Sequence, residues 1–245
     1  MKIFRNRHLA VFPLVIITAI GCLLNGCIVS QVKGSGNVVS REFKYANFTK
    51  VKIGGGFQAN IVASNEYKIT LTVDDNLFDY ILLEKSGDTL NIRLKSGSYT
   101  QFHQEATISM PQLVNLELSD GSRVNVSGFS SPEDVFSAVL ANGSHLTGDF
   151  SASEITLRLT DGSPVDIEGS ANRLKLISSD GSRANLEGLE VANAELQISD
   201  GGTAFTNVTE SLSVHLSDGS RVEYSGSPTL GDIKLSGGAT LVKKK

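Results

Sequence analysis

Five aspartates recur at nearly even spacing: Asp120, Asp161, Asp180, Asp200 and Asp218, each followed by glycine, with Asn142-Gly143 standing in line after the first. Acidic residues held in such register could cradle a divalent cation, supply the acid or base of polysaccharide cleavage, or shape turns. The cation reading makes those five aspartates candidate calcium ligands. Against it, calcium-binding rolls repeat every nine residues, about half the period here, and the EF-hand loop pattern is absent. The degradative reading finds Arg158, Arg173 and Lys175 available as bases, yet nothing pairs one of them with a particular acid. The turn reading is preferred. Asx side chains bond locally and tolerate left-handed backbone, and glycine carries no Cβ to oppose it. Stacked carboxylates repel, so water, backbone N–H groups or Arg123, Arg183 and Arg221, each three residues past an aspartate, must offset the charge. No catalytic residue, metal or cofactor is expected on this reading.

Other reactive side chains are scattered. His103, His145 and His215 share no spacing with one another, and His215, one past the apolar Val214, is expected to point to solvent. No Gly-x-Ser-x-Gly elbow or Walker-type phosphate loop occurs. Tyr80, Tyr99, Phe102 and Tyr224 could make a sugar-stacking platform, although aromatic residues in such positions more often fill a core or a cap. Both cysteines, Cys22 and Cys27, precede residue 28, which excludes a disulfide scaffold or a cysteine-held zinc in the body. Lys2, Arg5 and Arg7 account for three of the 22 basic residues, so from Cys27 onward 19 basic residues face 26 acidic ones, a balance of about −7. Nucleic acid is therefore not expected as a partner, because phosphate-binding surfaces are basic.

The elements that must position these residues follow from the same period. Aligned on the corner, the Asx-Gly pairs and a degenerate Gly237-Gly238 are spaced 22, 19, 19, 20, 18 and 19 residues apart. Apolar residues stand two and four positions before the corner (Leu118 and Leu116, Leu140 and Ala138, Leu159 and Leu157) and four and six after it (Val124 and Val126, Val165 and Ile167). That alternation of two predicts short strands with one buried face on each side of every corner. A unit of about 20 residues cannot bury that face alone, so the units must stack, their inward residues forming ladders along an axis. The prediction is an all-β parallel β-helix, a β-solenoid. Its six regular intervals span roughly 29 Å at the usual strand spacing. A further glycine, at 128, 169, 188 and 226, is expected to close the second strand of its coil. A leucine-rich repeat is the nearest rival by period but lacks the asparagine ladder and the helical return.

Between Gly34 and Met110 the period is irregular. Strands are expected at Phe48–Ile53, Phe57–Ala63, Lys68–Val73, Ile81–Glu84, Leu90–Leu94 and Ala106–Met110, with a helical turn at Asn76–Tyr80. These read as the first, less uniform coils and the cap of the same solenoid, with a separate N-terminal subdomain as the alternative. The leader has a basic start, an apolar run from Leu9 to Leu24, and Leu24-Asn25-Gly26-Cys27, which fits a bacterial lipobox; Ala19-Ile20-Gly21-Cys22 is a weaker match. Residues 1–26 are accordingly expected to be a lipoprotein signal peptide, Cys27 the lipidated residue and 27–33 a tether. Residues 34–242 then form one head domain, irregular over 34–110 and regular over 111–242, and 243–245 a basic tail, solvated or touching anionic lipid. Two or three acyl chains at Cys27 would hold the membrane stably.

The stretch Gly34-Ser35-Gly36-Asn37-Val38-Val39, the strand Phe48-Thr49-Lys50-Val51, Asp75 to Ile81, Gly87-Asp88-Thr89-Leu90-Asn91-Ile92 and the Ser-Asp-Gly-Ser coils together resemble the putative auto-transporter adhesin head GIN domain family. The resemblance covers about Gly34 to Val242. It implies a right-handed parallel β-helix in secreted or surface-anchored bacterial proteins, many of them lipoproteins, and brings no catalytic residues with it. Two classes of function remain. One is a non-enzymatic envelope lipoprotein, lipid-anchored at the outer membrane or cell surface, whose long face binds a glycan, a matrix component or another envelope protein. The other is an envelope carbohydrate-active enzyme, a polysaccharide lyase or hydrolase, on a β-helical fold.

Overall fold

The computed structural model describes residues 31–130 and 135–244. The expected signal peptide, both cysteines and the tether up to residue 30 lie outside the described residues. The strands are β1 (Gln31–Lys33), β2 (Val38–Phe43), β3 (Lys50–Ile53), β4 (Gln58–Ala63) and β5 (Lys68–Asp74), then a 3-10 helix (Asp75–Tyr80). They continue with β6 (Ile81–Ser86), β7 (Thr89–Leu94), β8 (Ser98–Thr100), β9 (Gln104–Met110), β10 (Asn115–Leu118), β11 (Arg123–Ser130) and β12 (Val135–Leu140). Long bent strands follow, β13 (His145–Leu159), β14 (Pro164–Ser178), β15 (Arg183–Ile198) and β16 (Thr203–Leu216), and the described chain closes with β17 (Arg221–Gly226), β18 (Thr229–Leu235) and β19 (Thr240–Lys243).

The strands build two ladders that run the length of a β-solenoid. Strands entering a corner stack as β7, β3, β10, β12, the second halves of β13 to β16, and β18, all parallel. Strands leaving a corner stack as β9, β4, β11, the first halves of β13 to β16, β17 and β19, also parallel. The first ladder has eight intervals from β7 to β18, roughly 38 Å at the usual spacing. The apolar columns expected from the repeat line the space between the ladders: Leu116, Ala138, Leu157, Leu176, Leu196 and Val214 on one wall and Val124, Leu146, Val165, Ala184, Ala204 and Val222 on the other, none more than 3 % exposed. Gly148 leaves a gap in one column. The ring of Phe150 fills it, stacked on Phe136 at 4.1 Å between ring centres.

Apart from β1 and β8, which pair with each other in a sheet of their own, the irregular region shares the sheet and the apolar core of the regular coils. Its coils are not stacked in chain order, however. The coil of β3 and β4 lies between that of β7 and β9 and that of β10 and β11, so the chain lays down its second level first. The end of the rod is then closed by antiparallel strands: β6 on β7, β5 on β9 and β2 on β5. The 3-10 helix beside them buries Leu77 completely, and Arg41 lies over the ring of Phe78 at 3.8 Å. The N-terminal strands therefore supply both parallel coils and an antiparallel cap. β6 runs against the coils because a tight hairpin at Gly87-Asp88 joins it to β7, whereas a further parallel strand would need a crossover; β5 also runs against the coils, and β2, antiparallel to β5, runs with them.

The outer glycines also differ from expectation. β14 and β15 run straight through Gly169 and Gly188, where the register with the neighbouring coil shifts, so there these residues bend a strand instead of ending it. At Gly169 φ is +111° and a Cβ would stand 2.0 Å from the carbonyl oxygen of Phe150.

Candidate functional site

The acidic column can be judged first. Asp120, Asn142, Asp161, Asp180, Asp200 and Asp218 all adopt φ between 51° and 55°, and the following glycines are left-handed too. Two successive positive φ values, with Ser122 N–H donating to the Ser119 carbonyl and likewise at the later corners, make each corner a type I′ turn. The glycine N–H of one corner donates to the Asx carbonyl of the next: Gly121 to Asn142, Gly143 to Asp161, Gly162 to Asp180, Gly181 to Asp200 and Gly201 to Asp218. The carboxylates accept from the preceding hydroxyl: Ser119 onto Asp120, Thr160 onto Asp161, Ser179 onto Asp180 and Ser199 onto Asp200, at 2.6–2.8 Å. Asn142 donates to Asp120 at 3.2 Å.

The arginines do not share in this. Arg221 pairs with Glu223, Arg183 lies over Phe205, and no corner carboxylate is ion-paired with a described side chain. The corner aspartates are all exposed, so water screens them. Among the described residues no group of three or more His, Cys, Asp or Glu side chains could hold a metal ion. Of the basic residues weighed for cleavage, Arg173 pairs with Glu154 on the neighbouring coil.

The serine after each glycine was not singled out by sequence reasoning, because Ser is common at turns. Ser122, Ser144, Ser163, Ser182 and Ser220 are fully buried, and three of them donate to the carbonyl that ends the entering strand of an adjoining coil: Ser122 to Ile53, Ser144 to Leu118, Ser220 to Ile198.

Each described histidine faces a carboxylate: His103 with Glu105, His145 with Asp166 from the next coil, His215 with Asp232 from the next coil. The outward orientation expected of His215 holds, and Lys234 joins it there. Lys234 and His215 hydrogen-bond Asp232 and hold its carboxyl below the usual range. The basic tail is tied down as far as Lys244, whose ammonium donates to Glu187 at 2.7 Å; that bond raises its pKa.

The aromatic platform is assembled in part. Tyr224 lies in the core at 8 % exposure, whereas Tyr80, Tyr99 and Phe102 meet in a row, Tyr99 edge-on to both neighbours with ring centres 5.9 and 6.1 Å away. They meet because one corner is enlarged. Four residues suffice between the strands elsewhere, but residues 95–103 intervene between β7 and β9. That loop and the adjoining corner border a shallow opening on the surface, about 500 Å³ in volume and lined by Tyr99, Phe102, Arg93, Lys95, Gly55 and Asp120.

The loop is held from several sides. β1 pairs with β8 inside it, opposing Val32 to Tyr99. Asp74, 1 % exposed, accepts the N–H groups of Gly36 and His103, both at 2.6 Å. Gln104 donates to the Gly55 carbonyl at 2.7 Å, the Tyr99 hydroxyl to the Lys95 carbonyl at 2.9 Å, and the Lys95 ammonium to the Asp79 carbonyl at 2.7 Å. Burial, with Tyr80 alongside, raises the Tyr99 pKa, so the phenol stays neutral and donates. Arg93 is exposed and has no carboxylate partner among the described residues.

The strands thus define a β-solenoid, capped at one end by antiparallel strands and enlarged at one corner. The chain belongs to the family described as "Putative auto-transporter adhesin, head GIN domain", whose model matches residues 47–228. In fold it is similar to the crystal structure of a putative adhesin from Bacteroides fragilis, with TM-score 0.81 and 19 % identity over 87 % of this chain and 100 % of that one. A putative adhesin from Parabacteroides merdae gives TM-score 0.68 at 16 % identity, covering 88 % and 99 %. A putative lipid binding protein from Parabacteroides distasonis gives 0.69 at 16 %, covering 88 % and 100 %. Among curated proteins none matches significantly. The family indicates an adhesin-like protein of the bacterial surface or envelope.

Proposed function

We propose that the chain is a non-enzymatic adhesin-like lipoprotein that binds a glycan in the opening beside Tyr99. The observation carrying this is the meeting of Tyr99 and Phe102 with Arg93, Lys95 and Asp120 around about 500 Å³, on a loop already fixed by β1, Asp74 and Gln104, with Tyr80 packed edge-on against Tyr99. Ring faces pack on the apolar face of a pyranose, and the charged groups bond its hydroxyls or pair with an acidic sugar. A loop held in place before binding loses little entropy on binding. The degradative alternative is less well supported: glycoside hydrolysis uses two carboxyl groups flanking the scissile bond, and this opening is lined by one, Asp120.

A glycan array probed with the full chain in detergent, followed by a reducing-end release assay on the retained glycans, tests the reading. Retention without release is expected. Release that disappears in an Asp120→Ala variant would overturn it in favour of an enzyme. The anchor is tested separately by labelling cells with radioactive palmitate: Cys27→Ala should abolish incorporation, and label that persists would move the site to Cys22 or remove the lipid from the account.

A further inference from the structure

Opposite the cap, the last described coil leaves apolar side chains exposed. Leu230, Ile233 and Leu235 continue the inward columns of Leu212, Val214 and Leu216, which are at most 3 % exposed, yet Leu230 and Leu235 are each 47 % exposed. Leu241 continues the column of Val222 in the same way and is likewise only partly covered. No described strand lies beyond β18 and β19, so their outer backbone N–H and C=O groups are unpaired edges.

We propose that this end recognises a second copy of the chain, the two rods meeting end to end about a twofold axis with β18 antiparallel to its symmetry mate. The register follows from the sequence of β18, Thr-Leu-Gly-Asp-Ile-Lys-Leu. Centred on Ile233, antiparallel self-pairing sets Asp232 of each copy opposite Lys234 of the other, twice over by symmetry. It also sets Leu235 opposite Gly231, where no side chain competes for the space. Opposite charges directly across an antiparallel pair are favourable, and like charges there are not. A twofold contact is self-complementary and closes at two copies. Head-to-tail stacking would instead bring β18 against the capped end, where β6 runs antiparallel to the coils and already covers the edge of β7, β5 covers that of β9, and Arg41 covers Phe78.

The surface lies at the far end of the rod from the glycan-binding opening and does not depend on it. If Cys27 is lipidated, the cap is the anchored end, and the last described coil is presented outward, where copies on facing membranes would meet.

Sedimentation of the full chain, with detergent micelles in excess over protein, tests the proposal. Asp232 and Lys234 are both exposed, so exchanging them leaves the core intact. Wild type should dimerise, and Asp232→Lys or Lys234→Asp alone should weaken dimerisation about tenfold or more. The double exchange should restore dimerisation, and a mixture of the two single variants should form mixed dimers. A monomeric wild type would overturn the proposal and leave the shift of register at Gly231–Asp232, with Lys234, as devices that keep the edge unpaired. Single variants that dimerise like wild type would overturn it as well.

Discussion

At the scale of single residues the corner divides its labour between two columns that the sequence presents as one motif. Aspartate supplies left-handed backbone and accepts from the hydroxyl before it, while the serine two positions on turns inward and, at Ser122, Ser144 and Ser220, satisfies a carbonyl. The aspartate role was legible, because Asx-Gly at constant spacing announces positive φ. The serine role was not, because nothing in its identity separates a buried donor from a solvated one. Ser220→Ala should cost about 1 kcal/mol in denaturant unfolding by freeing the Ile198 carbonyl. Ser163→Ala should cost less, since its buried hydroxyl finds no partner among the described residues. Equal losses would show that the serines act through packing alone. Glycines divide similarly. Gly162, with open space where a Cβ would go, should accept alanine for about 1 kcal/mol of left-handed strain. Gly169→Ala drives a methyl into the Phe150 carbonyl and should cost more than about 3 kcal/mol. Asp232 is the residue whose titration reports its neighbours. A carboxyl held below its ordinary value in the folded chain favours folding above the carboxylate range, and loses that contribution as pH falls through the lowered value. Its midpoint by NMR should therefore lie under 3.8 and rise in Lys234→Ala, Lys234 being the larger cause of the depression.

At the scale of elements the sequence pattern placed β3 to β7 and β9 to within two residues and missed β1, β2 and β8, while the regular coils follow the sequence alignment corner for corner. What it could not show is the order of the first coils, because stacking β7–β9 outside β3–β4 leaves the local pattern of both unchanged. Nor could it show that residues 95–103 border a shallow opening, which depends on β1, distant in sequence, pairing within the loop. Asp74 is the joint between these pieces. Its buried carboxylate holds Gly36 and His103 by charge-assisted bonds, so Asp74→Ala should cost about 3 kcal/mol. Hydrogen exchange should then rise in 34–37 and 98–103 while the regular coils stay protected; uniform loss of protection would mean that the cap and the coils unfold as one.

At the scale of the whole molecule the rod presents three distinct regions: a closed cap, long ladder faces and a last described coil with exposed apolar side chains, with the aromatic opening near the cap. The glycine and aspartate that dominate the repeat serve the register of the rod, and the residues fit for recognition gather where the repeat is interrupted. The account therefore turns on that interruption. Calorimetric titration of the full chain with the glycan best retained on the array, compared with Arg93→Ala and Lys95→Ala, tests it most directly, because both side chains are exposed and line the opening. The account predicts binding by wild type and a loss of about tenfold or more in each variant, the equivalent of about 1.4 kcal/mol. Affinity unchanged in both variants would contradict it.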